Sequence, residues 1–598
     1  MCLLVLLLLE LSMLATAAIE CASRYRVKGE CVPVGISPLE FYIHQHDEAT
    51  TYEPEPMQRI VLNGSTAFVL NFTSQRWWDD HVFLDNSSAK GVWRHQLAVV
   101  VPGACLSDPR RCSSTAWLYV TGGHNPWPPL SPSDGDLRLA AALAASTMTV
   151  TAVLKQVPNQ PVIFADELPH PPFMYPDRER SEDGIISFGW RKFVDGRNAN
   201  ETVDAQWLLR LPMTKAASRA MDVVIDFAAR RGVAVADFVV NGRSKRGWTT
   251  WTTGLVEPRR ARAIVPVVED LLQLKRGITR HYEALGGWTF EFADYLYAGM
   301  LGWRMHTHGY DEMVSIVDPY AYFTPPAVGA AGAAGRWRRL NGSDAWLAMP
   351  KLVVNAANDE FFLPADNHGW WSDLPAEKRL LHLPNTDHGF GLPNATGEAT
   401  YEAALGAYYA AVVGGEPRAG FDWRLVGASG VADHAAGGGR GLDGDGSGAA
   451  VSIIEVANVT SRPLSVSVWA ATTSDGHRDW RLFSCRSGPG HNCTRPEAAP
   501  GRRWPGEPGD KTSQVSVPGG PTLHFVPYEG TPLAADGNGT WLARVRVPTD
   551  GNYTAFFVSV RFSSGEHYTS QIGIAPDTLP SAPCTGSGGL PGGCERLV

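Results

Sequence analysis

The sequence predicts an α/β fold in which a mostly parallel sheet with a helical insertion is followed by a smaller all-β domain. Three observations predict it. Strand patterns alternate with helical patterns from residue 96 to residue 413, which is typical of a parallel sheet. A glycine-rich run at 435–448 is typical of a linker. Beyond it, short alternating strands follow one another without helices, as in a β-sandwich.

The elements of the α/β region follow one another in a regular order. Residues 19–90 form a mixed segment, and residues 271–330 form a long helical insertion rich in Trp and Tyr. Apolar and β-branched runs predict strands at 96–102, 116–121, 148–154, 233–240, 263–268, 351–355 and 379–383. Helical periodicity predicts helices at 136–145, 204–231 and 398–413. The all-β region has strand patterns at 451–456, 464–470, 540–547 and 553–562.

These patterns divide the chain into consecutive parts. The predicted divisions are a signal peptide at 1–18, an α/β domain at 19–420 with its insertion at about 271–330, a linker at 421–450, a β-sandwich-like domain at 451–578 and a tail at 579–598. A length of 598 residues agrees with several domains. The net charge of −9 and the scattered basic residues argue against nucleic acid or an anionic membrane as a partner.

The first residues resemble a secretory signal. A short apolar run ends in small residues, and Ala15-Thr-Ala17 fits the cleavage pattern. Glu10 and the absence of Lys or Arg before the run leave an uncleaved anchor as the alternative, although the run is short for a membrane span. The sequence therefore predicts a secreted protein without stable membrane insertion after cleavage.

Cysteines and glycosylation motifs also favour secretion. Of the nine cysteines, all but Cys2 fall into close pairs, which predicts the disulfides Cys21–Cys31, Cys105–Cys112, Cys485–Cys493 and Cys584–Cys594. Proximity alone does not fix the pairing, because eight cysteines allow on the order of 100 connectivities. Asn-x-Ser/Thr motifs stand at Asn63, Asn71, Asn86, Asn200, Asn341, Asn394, Asn458, Asn492, Asn538 and Asn552.

A candidate nucleophile lies between a predicted strand and a predicted helix. The segment Gly242-Arg-Ser-Lys-Arg-Gly247 follows the strand at 233–240. In a nucleophile elbow a serine occupies such a strand-to-helix turn, flanked by glycines that allow close approach of the backbone. The usual pattern is G-x-S-x-G, whereas here the second glycine comes one residue late. Ser244 is the predicted nucleophile, and an ordinary turn serine is the alternative.

An acid and a base follow in the chain order that such hydrolases use. Asp359 comes after the strand at 351–355, and His388 comes after the strand at 379–383. Both follow the carboxyl end of a strand, where sites in open α/β sheets are built. The competing acids are Glu360, Asp366 and Asp387, and the competing histidines are His382 and His368. We predict a catalytic triad of Ser244, Asp359 and His388.

The oxyanion of such a reaction needs two backbone N–H donors. Lys245, directly after the nucleophile, would supply one. The other would come from the glycine-rich loop after the strand at 116–121, with Gly123 or His124 as the candidate. The insertion at 271–330 lies where a cap over such a site would sit.

Two further residue types have alternative interpretations. The pairs His44/His46 and His306/His308 could bind a metal, but isolated H-x-H pairs are more often solvated, and we predict no metal and no cofactor. A set of tryptophans could pack the core and cap or form a platform for a carbohydrate or aromatic ligand. This set comprises Trp248, Trp251, Trp288, Trp303, Trp370 and Trp371.

Several ordered motifs together resemble the PhoPQ-activated pathogenicity-related protein family. They are Ser-Lys-Arg-Gly-Trp from Ser244, Leu211-Pro-Met-Thr-Lys-Ala, Gln156-Val-Pro-Asn-Gln-Pro, Asn358-Asp-Glu-Phe-Phe-Leu-Pro-Ala-Asp and Leu383-Pro-Asn-x-x-His. The resemblance covers roughly residues 25–575. It implies an α/β-hydrolase-like fold, with the family's serine, aspartate and histidine at Ser244, Asp359 and His388. The chain departs from the family at Arg243, where a small residue is usual, and in the glycine-rich stretch near 435–448.

The resemblance leaves two function classes open. The first is a secreted serine hydrolase that transfers acyl groups from ester or peptide substrates. The family also includes a secreted autocrine proliferation repressor, which implies the alternative of a signalling or binding protein that keeps the fold and acts on a cell-surface receptor. The resemblance names no substrate.

Overall fold

A computed structural model gives the architecture of the chain. It describes residues 21, 24–168, 174–175, 177–323, 337, 348–391, 396–426, 450–481, 483–486, 492–493, 513–516, 522–584, 594 and 597–598. The predicted signal at 1–18 lies outside these residues.

A ten-stranded sheet forms the centre of the α/β region. Its strands, numbered here in chain order, are β1 Thr51–Tyr52, β2 Gln58–Leu62, β3 Ser65–Arg76, β4 Val92–Pro102, β5 Thr115–Val120, β6 Thr151–Leu154, β7 Asp237–Arg243, β8 Ala261–Val267, β9 Lys351–Ala356 and β10 Lys378–Leu383. The spatial order is β10-β9-β8-β7-β5-β6-β4-β3-β1, and β2 pairs with β3. The strands from β5 to β10 pair in parallel, which confirms the predicted α/β fold.

The sheet continues into an antiparallel half that the sequence patterns did not resolve. The strands β3 and β4 pair over their whole length, with Ser65 opposite Pro102 and Arg76 opposite Val92. The strand β4 also pairs antiparallel with β6. The segment 19–90 therefore supplies strands to the main sheet. Outside it, a small sheet joins Tyr25–Val27, Glu30–Cys31 and Val203–Asp204.

Helices connect and cover the strands. The α-helices are Pro38–His44, Gly103–Ser107, Gly135–Thr147, Glu182–Asn198, Arg210–Ala229, Lys245–Val256, Leu274–Leu285, Ala293–Tyr297, His308–Val317 and Gly397–Gly414. Short 3-10 turns cover Asp80–Val82, Pro109–Arg111, Ala205–Trp207, Phe290–Phe292, Trp303–His306, Pro319–Tyr322 and Asp366–Gly369. The predicted insertion after β8 is thus a set of short helices and turns. The helix Glu182–Asn198 was not predicted.

The region after the main sheet is built from antiparallel strands. One sheet comprises Asp422–Val426, Val451–Ala457 and Trp541–Arg546. A second comprises Pro463–Thr472, Glu529–Pro532, Thr554–Phe562, His567–Thr569 and Gly573–Ala575. A third comprises Phe483–Arg486, Asn492–Cys493, Ser513–Ser516 and Thr522–Phe525. The predicted linker at 421–450 therefore begins with a strand, and the rest of it, except residue 450, lies outside the described residues. We refer to these sheets as the β unit.

Three disulfides close short loops. They join Cys21 to Cys31, Cys105 to Cys112 and Cys584 to Cys594, with Cα–Cα distances of 5.4, 5.4 and 5.6 Å. Cys485 and Cys493 are paired positions of neighbouring strands, but their side chains lie outside the description. Within the described part of the chain, no helix is long and apolar enough to cross a membrane.

The candidate glycosylation sites that the structure describes are at the surface. Asn63, Asn86, Asn200, Asn458 and Asn538 are exposed, and Asn71 and Asn552 are half-buried. Asn341, Asn394 and the side chain of Asn492 lie outside the described residues. Glycosylation itself remains a prediction.

Candidate active site

Ser244 occupies a sharp turn between β7 and the helix Lys245–Val256. Its backbone angles, φ 56° and ψ −126°, are rare for a residue with a side chain. The Ser244 N–H donates to Val267 O of the neighbouring strand at 2.8 Å, so the sheet holds this conformation. The turn presents the serine at the carboxyl end of β7, directly before the first turn of a helix, as in a nucleophile elbow.

The late glycine of the motif has a steric reason. A Cβ at Gly247 would lie 2.8 Å from both the Glu269 Cβ and the Val267 carbonyl oxygen. A Cβ at Gly242 would lie 2.5 Å from the Arg246 carbonyl oxygen. The elbow therefore needs glycine at these two positions, and the position of Arg246 has room for a side chain.

His388 lies between Ser244 and a carboxylate. The distance from His388 Nε2 to Ser244 Oγ is 2.9 Å. His388 Nδ1 lies 2.9 Å from Asp359 Oδ2 and 3.0 Å from Oδ1. A proton on Nδ1 that is donated to Asp359 leaves the Nε2 lone pair for the Ser244 hydroxyl. The structure thus brings together the three residues that the sequence predicted, in the geometry of a nucleophile, a base and an orienting acid.

The environment distinguishes Asp359 from the neighbouring acid Glu360. The buried Asp359 carboxylate accepts from the N–H groups of Phe361 at 2.8 Å and Phe362 at 3.0 Å. Glu360 accepts from the His388 backbone N–H at 2.8 Å. Burial, and after it the charge of Asp359, raises the pKa of Glu360 well above its usual range. Glu360 thus contacts the backbone of His388 rather than its ring.

The other competing residues have separate contacts. Asp366 Oδ2 pairs with His281 Nε2 at 2.6 Å. His382 Nε2 lies 3.2 Å from Asn367 Nδ2, and burial lowers the pKa of His382 to about 3. His368 Nε2 lies 2.8 Å from the carbonyl of Ile572.

A pocket of about 460 Å³, including its mouth, lies beside Ser244. The insertion at 271–330 supplies much of its wall, with Leu271, Leu274, Ile278, Phe292, Tyr295 and Leu301. The remaining apolar wall comprises Trp190, Trp248, Phe361 and Phe362. Four charged or titratable side chains also line it, namely Asp183, Arg210, Lys245 and Glu269. An apolar pocket with a few polar groups is typical of a small-molecule site.

The sequence pattern of the PhoPQ-activated pathogenicity-related protein family matches residues 39–481. The chain belongs to this family. It is also similar to autocrine proliferation repressor protein A of Dictyostelium discoideum, with 26% identity over 562 residues that cover 92% of each chain.

Solved structures similar to this PhoPQ-related protein include esterases and related hydrolases. An acetyl xylan esterase from Paenibacillus sp. R4 has 14% identity and a TM-score of 0.33, over 58% of this chain and 86% of that one. An S-formylglutathione hydrolase from Agrobacterium tumefaciens has 11% identity and a TM-score of 0.30, over 60% of this chain and 98% of that one.

The family motif Gln156 to Pro161 packs against the elbow of this PhoPQ-related protein. Arg246 Nε donates to the Val157 carbonyl at 2.5 Å, and a Cβ at Gly122 would lie 2.6 Å from Arg246 Nη2. Gly123 has φ 127°, which requires glycine, and Gln156 N donates to Gly122 O at 2.9 Å. The loop with Gly123 and the exposed His124 therefore lies next to the helix that Lys245 begins, and its role as an oxyanion donor remains a prediction.

Arg243, directly before Ser244, is not among the residues that line the pocket. Its guanidinium forms a two-point ion pair with Glu398 and lies 4.5 Å from the Phe390 ring and 4.7 Å from the Tyr401 ring. Arg243 thus joins the elbow to the helix Gly397–Gly414.

The β unit holds the two loops that carry the acid and the base. Asn358 Nδ2 donates to the Trp480 carbonyl at 2.6 Å and to the Val526 carbonyl at 3.0 Å. Asn385 Nδ2 donates to the Tyr528 carbonyl at 2.9 Å, and its Oδ1 accepts from the Tyr528 N–H at 2.7 Å. These contacts fix Asn358, directly before Asp359, and Asn385, in the loop that leads to His388.

The remaining candidates from the sequence are the tryptophan set and the possible metal ligands. Trp248, Trp251, Trp288, Trp370 and Trp371 are buried, and only Trp248 of these lines the pocket, whereas Trp303 is 49% exposed. Among the residues that the structure describes, no group of three or more His, Cys, Asp or Glu side chains is placed to hold a metal.

Sequence reasoning missed three pocket residues, Asp183, Arg210 and Glu269. Asp183 lies on the unpredicted helix Glu182–Asn198, whose start is marked by Ser181 followed by two acids. Arg210 lies within the predicted helix at 204–231, and Glu269 directly follows the predicted strand at 263–268. The approach of both residues to Ser244 depends on how distant segments pack.

Proposed function

We propose that this PhoPQ-related protein is a secreted serine hydrolase that cleaves ester or peptide bonds by acyl transfer. The observation that carries the proposal is the contact of 2.9 Å between His388 Nε2 and Ser244 Oγ, with Asp359 on the other ring nitrogen. The three disulfides support folding in an oxidising compartment.

The reaction proceeds in two halves. Ser244 Oγ attacks the substrate carbonyl while His388 Nε2 takes the hydroxyl proton, and Asp359 stabilises the resulting imidazolium. The N–H groups of Lys245 and of the Gly123 loop donate to the oxyanion. His388 then gives the proton to the leaving alcohol or amine, and a water molecule, activated by the same histidine, releases the acyl group as an acid.

A fluorophosphonate probe tests the proposal, because it reacts with activated serines. We expect stoichiometric labelling of the folded protein at Ser244, and no labelling of Ser244→Ala. Denatured protein is the control for non-specific reaction. An unlabelled native protein would overturn the proposal.

The similarity to autocrine proliferation repressor protein A over 92% of each chain supports a second candidate. In it, the chain is a secreted signal that binds a cell-surface receptor and keeps the fold without using the serine. Purified Ser244→Ala would then retain the full effect on cell proliferation. A loss of that effect in a folded Ser244→Ala protein would instead tie signalling to hydrolysis.

A further inference from the structure

Arg210 is a buried cation in the wall of the candidate active site. Its side chain is 2% exposed, and its guanidinium lies 4.1 Å from the Trp248 ring. Nη1 donates to the Lys245 carbonyl at 3.2 Å and lies 3.8 Å from the Met213 sulfur. The buried Nε has no hydrogen-bond acceptor among the described residues. The guanidinium is therefore held in place with part of its donor capacity unused.

Arg210 also lacks a carboxylate within 4 Å in the described part of the chain, unlike other buried arginines of this protein. Arg197 pairs with Glu312 at 2.6 and 3.2 Å, and Arg481 pairs with Asp479 through two contacts of 2.8 Å. A buried charge without a counterion is costly to a folded protein. Such a group at the wall of a pocket is a strong indication that a ligand completes its environment.

The other charged groups of the pocket do not supply this counterion. Asp183 is neutralised by Lys245 Nζ at 2.8 Å and also accepts from the Tyr295 hydroxyl at 2.7 Å. Burial raises the pKa of Glu269 to about 8, although the charge of Arg210 acts against this rise. The raised pKa favours the protonated form of Glu269, which can donate a hydrogen bond. Asp183 thus matches the charge of Lys245, and the Arg210 guanidinium has no adjacent counterion among the described residues that line the pocket.

We propose that the pocket binds an acyl group that carries its own carboxylate, which pairs with the Arg210 guanidinium and accepts a hydrogen bond from the Glu269 carboxyl group. The apolar walls suit a short methylene chain between this carboxylate and the scissile carbonyl. The substrate class is thus a half-ester or half-amide of a dicarboxylic acid. The inference rests on the proposed hydrolase function and names the substrate of that same site.

The reaction on such a substrate follows the two halves given above. Ser244 Oγ forms an ester with the dicarboxylic acid while the alcohol or amine leaves with the proton from His388. Water then cleaves this ester, and the free dicarboxylic acid is released. Arg210 binds a group remote from the reacting atoms and positions the carbonyl at Ser244.

The first test compares charged and neutral substrates on the same enzyme. The p-nitrophenyl half-esters of succinic, glutaric and adipic acid are measured against the corresponding methyl-capped esters. We expect the wild type to prefer one half-ester by at least about tenfold in kcat/KM, and Arg210→Met to lose this preference. Because the ratio compares two substrates, any general effect on Ser244 cancels. Arg197→Met, which removes a paired buried arginine outside the pocket, should keep the wild-type ratio.

The second test measures binding without turnover. Glutarate, succinate and adipate are titrated against Ser244→Ala and against Ser244→Ala with Arg210→Met, and the melting temperature is recorded. We expect one diacid to stabilise the first protein and not the second. Two results would overturn the inference and leave the proposed hydrolase function standing. One is an equal ratio of half-ester to capped-ester kcat/KM in the wild type and Arg210→Met, and the other is no diacid binding to Ser244→Ala. Diacid binding without any ester turnover would overturn the hydrolase and support the site.

Discussion

Arg246 Nη2 donates to Glu182 Oε1 at 2.5 Å and so joins the helix after Ser244 to the helix Glu182–Asn198. Gln160 Nε2 donates to the same carboxylate oxygen at 2.7 Å. Burial acts to raise the pKa of Glu182, but the charges of Arg246 and Lys245 outweigh it and lower the pKa to about 2. One carboxylate thus links the elbow, the loop behind Gly123 and the wall of the pocket.

Removing Arg246 should impair both stability and turnover. Arg246→Met leaves the carboxylate of Glu182 buried and short of a partner, and we expect a loss of about 2–4 kcal/mol in the free energy of unfolding. The displaced loop should lower kcat by about 10–100-fold. The double variant Arg246→Met, Glu182→Gln should recover part of the stability, because it removes the stranded charge. Urea unfolding of both variants measures this, and equal stabilities would contradict it.

Gly247→Ala should destabilise the elbow. The new methyl group would lie 2.8 Å from the Glu269 Cβ and the Val267 carbonyl, and relief of that contact requires movement of β8 or of the helix. We expect a loss of about 1–3 kcal/mol in unfolding free energy. The matched control is Gly135→Ala, where a Cβ meets nothing within 4 Å and where we expect a change below about 0.5 kcal/mol. Similar losses in the two variants would refute the steric argument.

Substitution of the two adjacent acids by isosteric amides should give unequal effects. Asp359→Asn removes the carboxylate that orients the His388 ring, and we expect kcat to fall by about 10³–10⁴-fold. Glu360→Gln keeps an oxygen that can accept from the His388 N–H and leaves the contacts of the His388 ring in place, so we expect kcat within about threefold of wild type. Steady-state rates on one ester distinguish the residues, and a larger loss in Glu360→Gln would reverse their roles.

Buried histidines should make stability depend on pH below neutrality. Burial lowers the pKa of His567 to about 3, whereas an unfolded histidine titrates near 6.5. The unfolded state therefore binds a proton first as the pH falls, and this histidine costs stability from about pH 6.5 downward. Buried carboxyl groups with raised pKa values, such as Glu269, instead add stability as the pH falls. The effect of His567 is therefore measured as the difference between a variant and the wild type. Relative to wild type, His567→Asn should gain about 2 kcal/mol between pH 7.5 and pH 5. A constant difference in urea unfolding would contradict this.

The parallel half of the sheet could be predicted because each of its strands is an apolar run that ends at a polar turn. The start of β7 was predicted four residues too early, at Val233, whereas the observed strand is Asp237–Arg243. The helix Glu182–Asn198 could not be predicted as easily, because it contains Gly184, Gly189 and Gly196. At Gly189 a Cβ would lie 2.1 Å from the Trp207 carbonyl, so packing rather than helix propensity selects the residue.

The residues of the candidate triad were predictable because their chemistry is tied to strand ends, which local patterns show. The distances between Ser244, His388 and Asp359 could not be predicted from the sequence, and their catalytic role remains a proposal. The charged groups of the pocket depend on tertiary contacts between the helix Arg210–Ala229, the segment after β8 and the cap. No local pattern reports that Arg210 lacks a carboxylate within 4 Å among the described residues, because that depends on which side chains come near it in three dimensions.

The β unit holds in place the loops that carry Asp359 and His388. It does so through hydrogen bonds from Asn358 to the carbonyls of Trp480 and Val526, and between Asn385 and Tyr528. The family match ends at residue 481, just beyond Trp480. A truncated chain that stops before Asp422 would retain Ser244, Asp359 and His388 but would free both loops on their outer side. The smallest piece of this protein that can keep its site assembled therefore contains both regions.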